Sequence, residues 1–276
     1  MKQSENARRS VVPYIILVPI TLPILILFTW LFLSSFSTGM KGLVPNGFTL
    51  ENWTFLWKTE PGEVNVWAYF FNTLIFASLV TIIEVVIASA AAYAISRLNF
   101  PGRRFFLSFV IILHAFPTVT LIIAVFFVLR ALGLYDSLSG VILVKIAFEL
   151  PFAIWIMKGF FDNVPWDIEI AAMIDGSSRF TIWRKIVMPI VKPGLAAIAI
   201  FVFLTSWSEF LIPYIFAPNS TTQTLSVYLN ALTSDAEQTD YGLLAAVGVF
   251  YVIPVLLFYV FTQKYLLNIF SGGVKG

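Results

Sequence analysis

Residues 162–193 read DNVPWDIEIAAMIDGSSRFTIWRKIVMPIVKP, a partly polar segment between two long apolar stretches. Proline suits the first turn of a helix, where its missing N–H would have no partner, so Pro165 predicts a helix start. Glu169 lies near that start, where the helix dipole favours negative charge. Gly176 predicts a helix end with a positive φ, and Ser178 predicts the cap of a second helix. The segment therefore predicts a helix, a glycine turn and a second helix.

Two roles fit this helical hairpin. Either it lies on the lipid headgroups, or it binds a partner protein on the side of the membrane where the hairpin itself lies. A helix that lies on a membrane surface carries bulky apolar residues on one side and lysines on the other. Ala171 and Ala172 instead predict a flat face that another protein can approach closely. The pattern favours a docking element, with the interfacial hairpin as the alternative.

The composition is that of a membrane protein. Of 276 residues, 59% are hydrophobic and 12% are charged, whereas soluble domains have about 45–50% apolar and about 25% charged residues. Six stretches reach the length of about 20 apolar residues that a bilayer-spanning helix needs: 11–36, 67–96, 105–131, 139–161, 194–217 and 242–263. Barrel strands would be shorter and would alternate strictly. The predicted fold class is an all-α integral membrane protein with six transmembrane helices.

Lysine and arginine placement orients these spans, because cytoplasmic loops carry an excess of both. With a cytoplasmic N-terminus, the cytoplasmic segments hold 13 of the 17 basic residues: Lys2, Arg8, Arg9, Arg97, Arg103, Arg104, Lys158, Arg179, Arg184, Lys185, Lys192, Lys264 and Lys275. The outer loops hold Lys41 and Lys58. Both termini are therefore predicted to be cytoplasmic, and 11–36 is predicted to be a retained helix rather than a cleaved signal.

Four ionisable side chains fall inside predicted spans: Glu84, Lys145, Glu149 and Glu209. Such residues usually face a bundle interior or a wet cavity. Lys145 and Glu149 are four residues apart and can pair; the pair either neutralises itself between helices or lines a permeation path. Glu209 beside Trp207 is the stronger path candidate, because its span directly follows the helical hairpin, with a packing or gate contact as the alternative. An aromatic ring next to a carboxylate suits a solute that carries hydroxyl groups. Glu84 is predicted to be structural.

A histidine and several prolines complete the polar inventory of the spans. His114 lies three residues before Pro117 and is predicted to donate to a carbonyl freed by a nearby proline rather than to relay a proton. Freed carbonyls next to a proline allow a membrane helix to bend. The prolines inside spans are Pro117, Pro151, Pro213 and Pro254.

The sequence lacks the motifs of several functional classes. It has no G-x-x-x-x-G-K-[ST] phosphate loop and no nucleophile-elbow or zinc-protease motif. With no cysteine and one histidine, thiolate and multi-histidine metal sites are excluded. A net charge of +2 without a basic stripe argues against a nucleic-acid partner. The chain is therefore predicted not to be an enzyme and to bind no cofactor or metal itself.

The helical hairpin resembles a known motif. Residues 165–178 follow the pattern P-x-[DE]-[IL]-E-x-A-A-x-[IL]-D-G-[AS]-S, with Lys192-Pro193 downstream, and are similar to the "EAA" loop of binding-protein-dependent ABC importer permeases. Ile170 stands where the family has the glutamate that names the motif. The resemblance covers residues 67–276. It points to the carbohydrate subgroup of these permeases, especially the smaller membrane subunit of maltose-type transporters. The stretches that carry it are Ala92-Tyr93-Ala94, Ser206-Trp207-Ser208-Glu209-Phe210 and the C-terminal SGGVKG.

The resemblance implies a set of partners. These are a second permease subunit in a heterodimer, two nucleotide-binding ATPase subunits that hold ATP and Mg²⁺, and a soluble solute-binding protein that contacts the outer loops at 37–66 and 218–241. The chain would form a path for a sugar or oligosaccharide across the inner membrane of a prokaryote. An ion-driven secondary transporter, or a permease for a non-sugar solute such as glycerol phosphate, is the alternative.

The resemblance also assigns regions and contact residues. Residues 1–66 form an N-terminal tail, the first span and an outer loop; 67–264 form the permease core with the coupling loop 162–193; 265–276 form a cytoplasmic tail. The implied ATPase contacts are Glu169, Ala171, Ala172, Asp175, Gly176 and Ser178 in the loop, and Gly272, Gly273 and Lys275 in the tail.

Overall fold

The computed structural model describes residues 2–41, 44–59, 64–219, 221–234 and 239–272, and helices dominate them. Four helical stretches are long and apolar enough to cross a membrane: Tyr14–Ser34, Val66–Arg97, Leu138–Asp162 and Tyr241–Gln263. They correspond to the predicted spans one, two, four and six. The predicted helical class is confirmed, whereas spans three and five are each interrupted. The cytoplasmic location of both termini stays a prediction from the charge distribution.

The described chain divides into two compact units. One combines the residues before Val66 with Leu229–Pro254, and the other combines Val66–Tyr228 with the residues from Val255 onward. The predicted division of the sequence into 1–66, 67–264 and 265–276 stays a prediction.

The first unit begins with α1 (Lys2–Ser34), whose apolar side chains from Tyr14 to Leu33 are largely exposed. Strands β1 (Gly39–Lys41) and β2 (Val44–Asn46) then pair antiparallel, and a 3-10 helix follows at Glu51–Leu56. Asn52 ties this segment together, because its Nδ2 donates to the carbonyl of Ser35 at 3.2 Å and to that of Ser37 at 2.9 Å. The exposed apolar surface of α1 requires lipid or another protein around it.

The remaining helices follow in chain order: α2 (Val66–Arg97), α3 (Arg103–His114), α4 (Thr118–Ala131), α5 (Leu138–Asp162), α6 (Trp166–Ile174), α7 (Arg179–Ile182), α8 (Met188–Ile190), α9 (Lys192–Trp207), α10 (Leu211–Phe216), α11 (Leu225–Ala231) and α12 (Tyr241–Gly272). A π-helical turn at Trp183–Val187 joins α7 to α8.

The centre of the second unit is α2, which packs along α5 and α9. Ala88 and Ala92 on α2 are fully buried, since small residues let helix backbones approach closely in a membrane. Gly194 on α9 serves the same purpose, because a Cβ at that position would overlap the ring of Phe160 on α5. Small residues therefore set the spacing of the three central helices.

The predicted third span is two helices rather than one. α3 ends at His114 and α4 begins at Thr118, and Pro117 between them has an extended backbone with φ −60° and ψ 125°. Proline lacks an N–H and disfavours helical backbone in the residue before it. The prediction of a continuous helix over 105–131 is therefore wrong at Pro117.

The predicted fifth span is also interrupted. α9 ends at Trp207 and α10 begins at Leu211, which leaves residues 208–210 without helical structure. At its other end, α9 makes an angle of 76° with the helical stretch Arg179–Ile190 that precedes it. The prediction of a continuous helix over 194–217 is therefore wrong, and Glu209 lies inside the break.

Candidate coupling segment and membrane charge cluster

The hairpin at 162–193, called here the coupling segment, has the predicted helix, turn and helix. Gly176 has φ 81°, which confirms the predicted positive φ. The N–H of Ser177 donates to the carbonyl of Ala172 at 3.0 Å and closes the turn. Ser178 caps α7 as predicted, because its Oγ accepts from the N–H of Thr181 at 3.3 Å.

Glu169 on α6 is fully buried and forms an ion pair with the last residue of α2. Its Oε1 lies 2.5 Å from Nε of Arg97, and the two side chains are 0% and 2% exposed. Its Oε2 accepts from the hydroxyl of Tyr93, one turn earlier on α2, at 3.0 Å. We call these three residues the buried joint. Glu169 was predicted to contact an ATPase; in this structure its carboxylate instead binds α6 to α2.

Arg97 also secures the start of α6. Its Nη2 donates to the carbonyl of Val164 at 2.7 Å, and its guanidinium lies 4.9 Å from the centre of the Trp166 ring. The preceding residue, Ser96, donates to Oδ1 of Asp162 at 2.6 Å. The C-terminal turn of α2 therefore holds the end of α5 and the start of α6 at once.

The exposed side of α6 is a stripe at helical spacing. Asp167, Ile170, Ala171 and Ile174 all point outward, and Ile174 is 81% exposed. Residues at i, i+3, i+4 and i+7 share one face of a helix. We call this stripe the outer face of α6. Ala172 is buried and cannot form part of the flat exposed face predicted for both alanines, whereas Asp175, Gly176 and Ser178 are exposed at the end of the outer face.

Three of the predicted intramembrane charges come together. Nζ of Lys145 lies 2.6 Å from Oε1 of Glu149 and 2.6 Å from Oε2 of Glu209. The pairing of Lys145 with Glu149 is the predicted contact on α5, and Glu209 joins it from the break between α9 and α10. We call these three residues the charge cluster.

Glu209 also takes part in the hydrogen bonds of the backbone around the break between α9 and α10. Its Oε1 accepts from the N–H of Ile212 in the first turn of α10 at 3.2 Å, and its backbone carbonyl accepts from the hydroxyl of Ser226 at 2.6 Å. Non-helical backbone at membrane depth needs such partners, because lipid offers none. The hydroxyl of Thr205 donates to Glu149 at 3.0 Å and completes the polar contacts.

A cavity of about 200 Å³ borders the charge cluster. One wall is charged, and the others are aromatic and aliphatic, with His114, Phe116, Thr118, Leu121, Phe148, Leu211 and Ile212 beside the three charges. Nδ1 of His114 lies 3.3 Å from the carbonyl of Phe148, so this nitrogen carries the hydrogen. That carbonyl lies on α5 three residues before Pro151, one position after the carbonyl that the missing proline N–H leaves free. The predicted donation to a freed carbonyl stays a prediction.

Trp207 does not share this cavity with Glu209. It is 1% exposed, and its ring packs between Phe70 of α2 and Phe203 of α9, with centroid distances of 6.0 Å and 5.9 Å. Trp207 is the last residue of α9, whereas Glu209 lies in the break that follows, where the backbone leaves the helical path. In this structure Trp207 is therefore packed in the core and does not line the cavity beside Glu209. Its predicted role in the permeation path stays a prediction.

The remaining predicted residues that the structure describes form no hydrogen bond or ion pair with the buried joint or the charge cluster, although Glu84 lies close enough to Lys145 and Glu149 to interact with their charges. Glu84 on α2 is fully buried, and neither of its carboxylate oxygens has a hydrogen-bond partner among the described residues. Gly272 is the last described residue of α12. Gly273 and Lys275, predicted to contact an ATPase, lie outside the described residues.

A family model for the inner membrane component of binding-protein-dependent transport systems matches residues 84–268. The chain belongs to this family. The permease is a multi-pass protein of the inner membrane. It is 32% identical to the trehalose transport system permease protein SugB of Mycobacterium tuberculosis, over 92% of each chain. It is also 32% identical to the trehalose/maltose transport system permease protein MalG of Thermococcus litoralis, over 90% of this chain and 91% of that one.

A solved structure shares the fold. A chain in the crystal structure of a bacterial ABC transporter involved in the import of the acidic polysaccharide alginate superposes with a TM-score of 0.78. The superposition covers 95% of the permease and 97% of that chain at 22% sequence identity. This likeness supports the helical arrangement described above.

Sequence reasoning noted Tyr93 in the family pattern and Arg97 among the cytoplasmic basic residues, and it missed the contacts of both. The signal was present, because a buried arginine needs an acidic partner and Glu169 is the acidic residue on the inner side of α6. The spacing of residues within one helix predicts contacts only between near neighbours, whereas Arg97 and Glu169 are 72 positions apart.

Proposed function

We propose that the permease pairs with a second permease subunit and forms the membrane path of a sugar-importing ABC transporter. The observation that carries this proposal is the outer face of α6, a stripe with three apolar residues on a segment predicted to be cytoplasmic, in a chain of this family. A soluble ATPase subunit would bind that face. The permease has no phosphate loop, so ATP and Mg²⁺ would be held by two such partner subunits.

The outer face of α6 is better suited to contact with another protein than to contact with water. Ile170 is 44% exposed and Ile174 is 81% exposed, and apolar side chains in a contiguous exposed patch mark interaction sites. The partner's cleft would therefore be apolar opposite these two residues. Asp175 and Gly176 end the face, so a partner can approach the turn closely.

The charge cluster and its cavity are proposed as part of the permeation path. The Lys145 charge is shared by two carboxylates, and those carboxylates remain 16–20% exposed on the cavity side. Carboxylate oxygens and an imidazole beside apolar walls suit a solute rich in hydroxyls. A cavity of about 200 Å³ is smaller than the roughly 300–1,000 Å³ of complete ligand sites, so a partner permease would supply the rest of the path.

The substrate class follows from what the related proteins are named for. SugB is named for trehalose, MalG for trehalose and maltose, and NgcG of Streptomyces coelicolor, which is 30% identical over 98% of this chain and 90% of that one, for diacetylchitobiose. These sugars are short glycosides. We therefore place a disaccharide or short oligosaccharide as the solute of the permease.

A soluble solute-binding protein would deliver this sugar to the permease. A second related crystal structure is that of a bacterial alginate ABC transporter in complex with an alginate pentasaccharide-bound periplasmic protein. Its matching chain superposes with a TM-score of 0.67 at 16% identity, over 97% of the permease and 96% of that chain. The likeness of fold supports a partner of the same kind for the permease.

The test begins with a mild-detergent pull-down of the permease from its native membranes, followed by mass spectrometry. We expect a second permease and a phosphate-loop ATPase to co-purify. The complex is then placed in liposomes with its binding protein, and the uptake of labelled trehalose, maltose and diacetylchitobiose is measured with and without ATP.

Each outcome decides between the candidate functions. ATP-dependent uptake of a glycoside supports the proposal, and uptake of glycerol phosphate alone would contradict the sugar assignment. A permease that purifies by itself and transports solute with an ion gradient would overturn the ABC importer.

A further inference from the structure

The buried joint lies at one end of an uninterrupted helix. α2 has 32 residues and contains neither proline nor glycine, so it spans about 48 Å at 1.5 Å per residue. Two other long paths through the second unit are interrupted, α3 and α4 at Pro117 and α9 and α10 at residues 208–210. α5 is continuous but has Pro151 inside it. α2 is therefore a long helix, free of proline, glycine and breaks, whose C-terminal end contacts the coupling segment.

The N-terminal end of α2 is fixed to an opposite loop in a comparable way. Nδ2 of Asn72 donates to the carbonyl of Thr221 at 2.9 Å and to that of Gln223 at 3.0 Å. The hydroxyl of Thr73 accepts from the N–H of Leu225 at 2.7 Å, and Thr73 is fully buried. Residues 221–224 form the loop before α11 and Leu225 is the first residue of α11, all at the end of α2 farthest from the coupling segment.

The contacts at the cytoplasmic end fix α6 in more than one direction. The ion pair sets the distance between α6 and α2, the Tyr93 hydroxyl holds the second carboxylate oxygen, and the Arg97 contact with the Val164 carbonyl holds the chain before α6. Apolar packing by itself would allow α6 to slide or roll, because dispersion contacts are not directional. A buried ion pair is instead sensitive to geometry and is destabilised strongly when one partner is removed.

We infer that Glu169 and Arg97 are positioning residues of the transport reaction, and that they carry the movement of α6 into α2 and along it to residues 221–225. The inference rests on the proposed function, since it assumes that an ATPase moves α6. It separates two roles in the coupling segment: the outer face of α6 binds the partner, and the inner face holds α2.

The inference predicts a loss of coupling rather than a loss of partner binding. In the complex reconstituted in liposomes, we measure ATP hydrolysis and solute uptake together and take their ratio, solute imported per ATP hydrolysed. With Glu169→Gln, the carboxamide keeps the shape but leaves the Arg97 charge unpaired. We expect ATP hydrolysis within about threefold of the wild-type rate and a ratio at least about tenfold lower.

A second variant covers the case in which Glu169→Gln fails to assemble. Tyr93→Phe removes the hydroxyl that donates to Glu169 and that also interacts with Arg179, and it keeps the ring. This change is smaller than the loss of the ion pair, so we expect the fold to be preserved. We expect a ratio about two- to fivefold lower with normal assembly. The control is Lys158→Gln, which breaks an ion pair with Asp162 within α5 at the same end of the unit and should leave the ratio unchanged.

The outcomes separate this inference from the proposed function. If the wild-type complex imports solute but hydrolysis and uptake fall together in both joint variants, or neither changes, then the buried joint is only structural and the inference is wrong. If Glu169→Gln does not assemble, an unchanged ratio in Tyr93→Phe overturns it. If the wild-type complex has no ATP-driven uptake, the proposed function itself fails.

Discussion

Lys145 is the shared cation of the charge cluster, and its replacement by methionine tests how strongly that cluster is held. Its side chain is 4% exposed, and Nζ lies 2.6 Å from a carboxylate oxygen of Glu149 and 2.6 Å from one of Glu209. Methionine fills similar space without a charge, which leaves two carboxylates close together without a cation. Removing one partner of a buried ion pair costs about 3–5 kcal/mol. Because Glu149 and Glu209 are 20% and 16% exposed, we expect a value near the lower end, about 3 kcal/mol.

The chain contains a matched control on the same helix. Lys158 pairs with Asp162 at the same i, i+4 spacing on α5, but these side chains are 19% and 42% exposed. Ion pairs of this kind on a helix surface contribute about 0.3–0.5 kcal/mol. Lys158→Met should therefore change stability by no more than about 0.5 kcal/mol.

The assay is thermal unfolding of the purified permease in mild detergent, followed by circular dichroism. A change of 1 kcal/mol shifts the melting temperature of a domain of 150–250 residues by about 2–4 °C. Lys145→Met should thus melt about 6–12 °C lower, and Lys158→Met about 1–2 °C lower. Adding Glu149→Gln and Glu209→Gln to Lys145→Met should recover part of the loss, since neutral amides need no cation. Equal shifts for the two lysine variants would refute the reasoning.

Three further predictions test the other assignments. Ile174→Glu puts a charge on the 81% exposed end of the outer face of α6. It should change the melting temperature by no more than about 1–2 °C but abolish co-purification of the ATPase, and an ATPase that still co-purifies would contradict the assignment of that face. Trp207→Ala should destabilise the permease by about 3–5 kcal/mol, because it removes a side chain that is only 1% exposed. A small change in melting temperature together with a changed sugar preference would instead support a role of Trp207 in the permeation path. Gly176 and Gly133 have φ values of 81° and 67°, and an added Cβ would touch nothing at either position. Gly176→Ala and Gly133→Ala should therefore each lower the free energy of unfolding by about 1–2 kcal/mol through backbone strain. Only Gly176→Ala should lower solute uptake in liposomes. Equal uptake by the two glycine variants would show that the turn at Gly176 has no part in coupling.

The local features of the chain could be predicted from residue order. Pro165, Gly176 and Ser178 specified where the coupling segment turns, because proline, glycine and serine act on the backbone of their own turn. The four long apolar stretches specified their own helices for a similar reason, since lipid offers no hydrogen-bond partners to an open backbone. The contact between Lys145 and Glu149 followed from their spacing on one helix.

The breaks in spans three and five were harder to predict. Proline inside a membrane helix either bends it or ends it, depending on which neighbours satisfy the freed backbone groups. Pro151 lies inside the continuous α5, whereas Pro117 ends the helical stretch before α4. Residues 208–210 contain no proline at all, and there the Glu209 carboxylate and the Ser226 hydroxyl satisfy the open backbone.

The sequence by itself determined the class of protein, the long helices and the turns of the coupling segment, all of which depend on composition or on neighbours within one helical turn. Only the tertiary structure decided that Glu169 faces Arg97 rather than a partner, that Glu209 joins the charge cluster, and that Trp207 is buried away from it. Each of these depends on which face of one helix meets another. That choice is made by the packing of α2, α5 and α9 around small residues such as Ala88 and Gly194. Residues as far apart as 72 and 152 positions become neighbours only when the helices are assembled.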